Sequence, residues 1–341
     1  MVNNDTVEAA LRIRAGYDIA FECLQDVPMV LMLSVHPSRH PDIVTDHALR
    51  VSPNVRTRDY TDVFGNVCTR LVAPAGLIEL RTEFVIEDSG RPDAVAPHAA
   101  RVPLDEVPDD ALTYLLGSRY CDTQKLADFA WSTFGRIEGG WQLVQAICDY
   151  VHDRIRFGYR FARNDRTASE GHGERVGVCR DFAHLAIALC RCMNVPARYC
   201  TGYLGDIGVP ADPAPMDFSA WFEAYIGGQW HTFDARHNHP RIGRIVIARG
   251  RDAADVAIST TFGPTKLARF EVLTEEVRAG EVVPLQPCLD MRQSRTSRLR
   301  VPRPERQSSL PKVHRRNSAR AQQRHAANAM TSPRDADPVR S

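Results

Sequence analysis

The chain has 341 residues, of which 43% are apolar and 25% are charged, and its formal net charge is +1. This balance is typical of a folded, water-soluble protein and excludes a chain that is disordered throughout. No apolar run is long enough to span a bilayer, and the first residues lack the pattern of a signal peptide, so we expect a cytoplasmic protein without a membrane contact. Nine cysteines, an odd number spread over a long chain, argue against a disulfide framework.

The charge of the chain changes sign near residue 290. Residues 291–341 hold 13 Lys and Arg against 3 Asp and Glu, whereas the preceding residues hold 30 basic and 39 acidic side chains. The basic segment is rich in Arg, Ser, Gln and Pro and has no aromatic residue, so we predict a disordered tail over 284–341. We expect this tail either to contact an acidic partner or to be a solvated appendage, and we do not expect a nucleic-acid partner.

Residues 11–87 alternate apolar and polar side chains in short runs such as "RIRAGYDIAFEC" and "GLIELRTEFVIED". Gly, Pro, Asn and Asp separate these runs, as they separate the strands of β-rich domains. We therefore predict an N-terminal β-sandwich-like domain over residues 1–105.

After residue 105 the period of the apolar residues becomes helical, in "DDALTYLLGS", "CDTQKLADFAWSTFG" and "GGWQLVQAICDYVHDRIRF". The segment "PARYCTGYLG" has the composition of a strand. The segments "MDFSAWFEAYI" and "QWHTFDA" flank Gly227 and Gly228, which are typical of a two-residue hairpin turn. Helices followed by antiparallel strands predict an α+β fold, with a second domain over residues 106–283.

One cysteine stands directly before an apolar helical run, in "GERVGVCRDFAHLAIALCRCMNV". The spacing of Phe182, Leu185, Leu189 and Met193 predicts a helix that begins near Cys179. The free N–H groups and the dipole at a helix N-terminus favour a thiolate, so we expect a lowered thiol pKa and a nucleophile. The same N–H groups are suited to hold an oxyanion. The alternative is a buried structural cysteine.

The neighbouring residues do not have the spacing of a metal site. Cys190 and Cys192 are two positions apart on the predicted helix and point in different directions, and no zinc-binding pair follows. His184 lies about 500° around the helix from Cys179 at about 100° per residue, so we interpret it as a packing or surface residue. Because the sequence has no nucleotide-binding loop and no acidic calcium loop, we expect no metal and no cofactor.

The segments "GVCRDFAHLAIALCRCMNVPARYCTGYL" and "MDFSAWFEAYIGGQWHTFDARHN" resemble the bacterial branch of the transglutaminase-like superfamily. The resemblance implies a papain-like core with a Cys at a helix start, a His on one strand and an Asp on the next. It also implies acyl transfer from a peptide or protein amide to water or to an amine. When the roles of the family's residues are carried over position by position, Cys179 corresponds to the nucleophile and Asp234 to the residue that orients the histidine. The position of the histidine itself, just before "AWFE", holds Ser219.

The hairpin shows where a substitute base has to lie. If Gly227 and Gly228 form the turn, the numbers of any two residues that face each other across the hairpin add up to 455. Position 219 then lies diagonally across from Asp234, and both side chains are on the same face of the hairpin. A serine hydroxyl does not ionise near neutral pH and cannot act as the base. His237 is our preferred substitute because the strand is expected to end near it.

Three other histidines are weaker candidates for the base: His231, which has the opposite parity, His172, which lies in a loop, and His239, which precedes Pro240.

Three aromatic residues, Trp221, Tyr225 and Trp230, share the predicted hairpin face with Asp234. They either line a cleft for a peptide-like substrate or pack in the core. Two functions therefore remain open. One is a cysteine-dependent amidase, peptidase or transglutaminase-like acyltransferase. The other is a binding or scaffold module that has kept the fold and lost turnover.

Overall fold

Residues 11–277, the part of the chain that the computed structural model describes, form three antiparallel four-stranded sheets, one parallel two-stranded sheet and five α-helices. The predicted disordered tail, 284–341, lies outside the described residues. The strands are β1 (Leu11–Cys23), β2 (Val27–Leu31), β3 (Arg50–Ser52), β4 (Arg58–Thr61), β5 (Val67–Ala73), β6 (Gly76–Asp88), β7 (Arg156–Phe157), β8 (Val176–Gly177), β9 (Ala197–Tyr203), β10 (Ser219–Ile226), β11 (Gln229–Phe233), β12 (Ile245–Gly250), β13 (Ser259–Thr261) and β14 (Thr265–Glu276). The helices are α1 (Asp109–Leu112), α2 (Ala127–Phe134), α3 (Gly140–Arg154), α4 (Ala168–Glu174) and α5 (Cys179–Cys192). Five short 3₁₀ helices cover Pro37–Asp42, Leu104–Glu106, Thr113–Leu115, Thr123–Lys125 and Tyr159–Phe161.

The N-terminal residues form two of the sheets, with the strand orders β14-β1-β6-β3 and β13-β2-β5-β4. In β1 the alternate residues Ile13, Ala15, Tyr17 and Ile19 are buried, and they belong to one hydrophobic cluster with the buried side chains of β2 and β5. The last two strands in the chain complete these sheets, because β14 pairs with β1 and β13 pairs with β2. The division at residue 105 stays a prediction, but strands from beyond it are part of both N-terminal sheets.

The third sheet has the order β11-β10-β9-β12 and carries α5 on one face. Phe182, Leu185 and Leu189 of α5 are buried in the same cluster as Phe222 of β10. Residues 181–191 of α5 are all buried, because α2, α3 and α4 contact this helix in addition to the sheet. The mixed helical and antiparallel architecture confirms the predicted α+β class.

The hairpin of β10 and β11 has the predicted register, with Phe222 opposite Phe233 and Ile226 opposite Gln229. Gly227 and Gly228 form its turn with φ values of 60° and 82°, in the left-handed region that favours glycine. Pairing ends at Phe233, so the residues from 234 onward are released from the strand.

Candidate active site

Cys179 is the first residue of α5, as the sequence predicts. Asp181 fixes this end of the helix: its Oδ2 accepts a hydrogen bond from the Val178 N–H at 2.8 Å. The same oxygen accepts from the buried Arg166 guanidinium at 2.9 Å. The start of α5 is thus held by a carboxylate that is paired with Arg166, and the Cys179 side chain at this end is half-buried.

The pKa of the thiol differs from the expectation. Burial raises the pKa of Cys179 to about 11, the positive charge of Arg236 opposes this shift, and the negative charge of Asp217 adds to it. We expected a lowered pKa from the helix N-terminus, and this expectation is wrong for the unliganded protein. The loss of hydration of a buried thiolate outweighs the attraction of the helix amides.

Asp234 and His237 form a hydrogen-bonded pair directly after β11. The Nδ1–H of His237 donates to Asp234 Oδ2 at 2.8 Å. The other carboxylate oxygen, Oδ1, accepts from the backbone N–H groups of Arg236 and His237 at 3.0 and 3.1 Å. Asp234 therefore builds the turn and also orients the imidazole that the turn presents.

A buried arginine compensates the charge of Asp234. Arg244 Nη2 donates to Asp234 Oδ2 at 3.0 Å, and Arg244 Nε donates to Asp93 at 2.9 Å. Burial acts to raise the pKa of Asp234, but Arg244 and the hydrogen bonds from His237 hold it well below its usual range. Asp234 is therefore a carboxylate at neutral pH. No pattern in the sequence pointed to Arg244 or Asp93, which lie on other segments.

The turn that follows β11 also forms hydrogen bonds with helix α3. Gln145 Nε2 donates to Asn238 Oδ1 at 3.0 Å, and Asp149 Oδ1 accepts from Asn238 Nδ2 at 2.8 Å. His152 Nδ1 donates to the carbonyl of Arg236 at 3.0 Å. The three helical residues are spaced i, i+4 and i+7, so they lie on one face of α3. This polar stripe was the signal in the sequence that could have identified them.

His237 and Ser219 line one cleft, which encloses about 490 Å³ and which we call the catalytic cleft. Tyr159, Asp217 and Arg236 also line it. These three residues and Cys179 influence one another electrostatically. The charges of Arg236 and Asp217 shift the pKa of Cys179, and Cys179 contributes to the raised pKa of Tyr159. The sulfur thus lies close enough to Arg236 and Asp217 to feel their charge, although Cys179 is not itself among the residues that line this cleft. Within residues 11–277, no histidine nitrogen forms a hydrogen bond with the Cys179 sulfur.

The remaining histidines lie in other environments. His231 is buried with its ring 5.7 Å from Trp141, as its parity predicts. His172 is hydrogen-bonded to Tyr150, and His239 is exposed and contacts the His237 carbonyl. The interpretation of His184 as a packing residue agrees with the structure, because its buried ring lies 5.2 Å from Tyr120 and 5.1 Å from Tyr199.

The three hairpin aromatics do not line the catalytic cleft. Trp221 is 2% exposed and belongs to a small cluster on the sheet face that α5 does not cover. Tyr225 and Trp230 contact each other, with ring centroids 5.3 Å apart, and Trp230 also packs on Arg198 at 4.0 Å. The observed contacts of these rings are packing contacts, since alternation along β10 places Trp221 and Tyr225 opposite the face that carries α5. A role of the three rings in substrate binding stays a prediction.

No helix in the described part of the chain is long and apolar enough to cross a membrane. In the same residues, no group of three or more His, Cys, Asp or Glu side chains is arranged to hold a metal ion.

Known proteins share both the sequence signature and the fold. The sequence model of the transglutaminase-like superfamily matches residues 133–235, which include Cys179, Ser219 and Asp234 and end two residues before His237. A crystal structure described as a "Putative Cysteine Protease from Cytophaga hutchinsonii" is 30% identical and has a TM-score of 0.69. The match covers 80% of this chain and 93% of that chain.

Two curated relatives match over shorter stretches. An uncharacterized protein of Mycobacterium leprae is 36% identical over 83 residues, which are 24% of this chain and 30% of that protein. An uncharacterized protein of Mycobacterium tuberculosis is 33% identical over 127 residues, or 33% of this chain and 40% of that protein. The chain thus spans less than half the length of the curated relatives that it matches.

Proposed function

Because this chain belongs to the transglutaminase-like superfamily, we propose that it is a cysteine-dependent enzyme that transfers the acyl group of a peptide or protein amide to water or to an amine. Cys179 is the nucleophile, His237 is the general base, and Asp234 orients the base. The observation that carries the proposal is the hydrogen bond of 2.8 Å between His237 Nδ1 and Asp234 Oδ2, on a histidine that lines the cleft beside Ser219.

The hydrogen bond assigns the roles of the two imidazole nitrogens. Since Nδ1–H donates to Asp234, the neutral ring has its lone pair on Nε2. When the sulfur of Cys179 attacks the amide carbon, the thiol proton passes to Nε2 and the carbonyl electron pair moves to oxygen. Collapse of this intermediate breaks the C–N bond, and the leaving amine takes the proton from Nε2. A thioester of Cys179 remains.

The second half of the reaction uses the same groups. Water or an amine attacks the thioester while Nε2 accepts its proton, and that proton returns to the sulfur as the acyl group leaves. In both halves the oxyanion lies beside the start of α5, where the first N–H groups of a helix have no intrahelical acceptor. Arg236 adds a positive charge close to the sulfur.

The raised pKa of the thiol requires that proton transfer accompanies attack. At neutral pH the thiol of the unliganded protein is protonated, because its pKa is about 11. A preformed thiolate is therefore not the reactive species, and the imidazole has to accept the proton as the C–S bond forms. This requirement makes the base indispensable in this protein.

We interpret the change at Ser219 as a relocation of the base. Ser219 pairs with Gly202 at the start of β10, and its side chain opens to the same cleft as His237. A histidine at either position lies beside the residues that surround Cys179. The turn after Phe233 thus supplies the imidazole that the strand lacks.

One observation favours a second function, a binding or scaffold module without turnover. The sulfur has a raised pKa and makes no hydrogen bond to a histidine within the described residues. Such a protein would bind a peptide amide in the catalytic cleft and leave it unchanged.

A comparison of the wild type with three variants tests the proposal. Incorporation of a fluorescent primary amine into a glutamine-containing protein reports transamidation, and ammonia release reports hydrolysis. We expect His237→Asn to lower kcat by about 10²–10⁴-fold, because it removes the general base. The matched change Ser219→Ala removes a polar side chain of the same cleft that cannot act as a base, and it should leave kcat nearly unchanged.

If the base has moved from position 219 to position 237, a histidine at position 219 should restore activity to the variant that lacks His237. The double variant Ser219→His with His237→Asn should recover part of the lost activity, since it returns the imidazole to the strand. Equal activity of His237→Asn and the wild type would refute the role of His237. Binding of the glutamine substrate with no turnover by the wild type would support the second function instead.

A further inference from the structure

The catalytic cleft contains a carboxyl group that takes no part in the proposed proton transfers. Asp217 lines the cleft with Ser219 and His237, and it lies two residues before Ser219, on the segment that leads into β10. We infer that Asp217 selects substrates that carry a positively charged group, an ammonium or a guanidinium, next to the group that reacts. This inference rests on the proposed function, because it specifies the charge of the substrate that the same cleft accepts.

One carboxyl oxygen of Asp217 is used by the chain, and the other is open to the cleft. Oδ1 accepts a hydrogen bond from the Phe218 N–H at 2.7 Å, which fixes the carboxyl group in the cleft wall. Oδ2 accepts no hydrogen bond from residues 11–277 and is not sealed from solvent. The side chain is half-buried and lines the cleft, so a ligand in the cleft can contact Oδ2 directly.

The other acids of the cleft do not share a cation with Asp217. Asp206 pairs with Arg241 at 3.7 Å, so this acid and this arginine compensate each other. Asp212 is exposed, and its Oδ1 accepts the backbone N–H of Ala214 at 2.9 Å. Within the part of the chain that the structure describes, neither Asp212 nor Asp217 forms an ion pair.

Arg236, the second arginine of the cleft wall, acts on Asp217 only from a distance. Its guanidinium packs on the ring of Phe157, 3.8 Å from the ring centroid. Burial raises the pKa of Asp217, and the hydrogen bond from the Phe218 N–H and the charge of Arg236 oppose this shift. Three carboxyl groups and two guanidinium groups line the cleft, so with a neutral His237 its lining residues have one uncompensated negative charge.

An accessible aromatic ring lies near this carboxyl group. Tyr159 lines the cleft and is 43% exposed, and its ring centroid is 5.2 Å from that of Phe157. Burial raises the pKa of Tyr159, the charge of Arg236 opposes this shift, and the charge of Asp217 adds to it. The face of an aromatic ring attracts a cation, as a carboxylate does. The two side chains together therefore suit an ammonium or a guanidinium group.

The position of Asp217 places the bound cation close to the reaction. Burial is the largest cause of the raised pKa of Cys179, and the negative charge of Asp217 adds to it, so this carboxyl group lies within electrostatic range of the sulfur. The cation of the substrate then has two possible sources. It is either a basic side chain beside the scissile amide of the acyl donor or a second amino group of the acyl acceptor.

Steady-state kinetics with matched substrates test the inference and distinguish the two sources. The donor pair is a glutamine peptide with lysine beside the glutamine and the same peptide with norleucine in that place. The acceptor pair is cadaverine and pentylamine, which has one ammonium group fewer. We expect Asp217→Asn to raise KM about tenfold for the more highly charged member of a pair, because a charge-assisted hydrogen bond is lost, and to leave KM of the other member unchanged. The asparagine oxygen can still accept the Phe218 N–H.

Asp26→Asn is the matched control. Asp26 also accepts a backbone N–H, from Ala75 at 3.1 Å, and lies in the turn between β1 and β2, outside the cleft. This variant should leave KM of all four substrates unchanged. A change of KM for the lysine peptide identifies the donor as the source of the cation, and a change for cadaverine identifies the acceptor. If Asp217→Asn changed KM equally for both members of each pair, or for no substrate, the inference would be overturned.

Binding without turnover separates this inference from the proposed function. Cys179→Ala removes the nucleophile, and calorimetric titration of this variant with the same four compounds measures their affinities. Tighter binding of the more highly charged member, lost when Asp217→Asn is added, would support the inference even if the wild type turned over none of the substrates. Turnover by the wild type with no preference for charge would leave the proposed function intact and overturn the inference.

Discussion

The two halves of the candidate active site are held by different forces. Cys179 begins a helix whose side chains fill the apolar core. Burial is the largest influence on the pKa of the Cys179 thiol. The segment from Asp234 to Asn238 is a turn held by ion pairs and hydrogen bonds to Arg244 and to α3. A nucleophile at a helix start is fixed by the packing of the whole helix. A base next to a carboxylate can occupy a strand or a turn, provided that the carboxylate orients it.

The largest effect on stability is expected from the buried ion pair of the turn. Arg244→Met leaves Asp234 buried without its compensating charge and should lower the free energy of unfolding by about 3–5 kcal/mol. Urea unfolding followed by circular dichroism measures this loss. The control is Arg12→Ala, because Arg12 and Glu87 are 54% and 44% exposed and such pairs contribute at most about 1 kcal/mol. Equal losses in the two variants would show that charge does not hold the turn.

The second prediction concerns the nucleophile. Since burial raises the thiol pKa to about 11, the rate of alkylation of Cys179 by iodoacetamide should keep rising with pH beyond 8.5. At pH values below 8.5 the rate should be on the order of 10²-fold lower than that of a free thiol, because the thiolate fraction is smaller by that factor. Mass spectrometry of the peptide that contains Cys179 gives the rate, with a blocked cysteine peptide as the reference. An inflection at or below 8.5 would contradict the dominance of burial.

The smallest effect is expected from the contacts between α3 and the turn. Gln145→Ala removes the hydrogen bond to Asn238, which is worth about 1 kcal/mol, so we expect kcat to fall by about fivefold. Gln142→Ala is the control, because Gln142 lies on the same helix and its amide contacts Pro97 instead. If both variants lowered kcat equally, the effect would come from the helix and not from the turn.

Much of the fold followed from short-range patterns. The apolar period after Cys179 predicted α5, and the glycine pair predicted the hairpin register that places Phe222 opposite Phe233. These features depend on residues close in sequence, so helix periodicity and turn geometry were sufficient. The completion of the N-terminal sheets by β13 and β14 was not predicted, because pairing between distant strands has no local signature.

The predictions for the candidate site divided in the same way. The sequence selected Cys179, Asp234 and His237, and the structure joins the last two by a hydrogen bond. Whether Trp221 contacts a substrate stays a prediction, because strand alternation states which residues share a face but not what covers that face.

The sequence by itself determined that a cysteine starts a helix and that a hairpin leads to a carboxylate. Only the tertiary structure decided that the thiol pKa rises and that Arg244 compensates Asp234. The physical reason is that backbone conformation follows from neighbouring residues. Burial and charge compensation depend on side chains, such as Asp93 and Arg244, that are far apart in the chain and meet only when it folds.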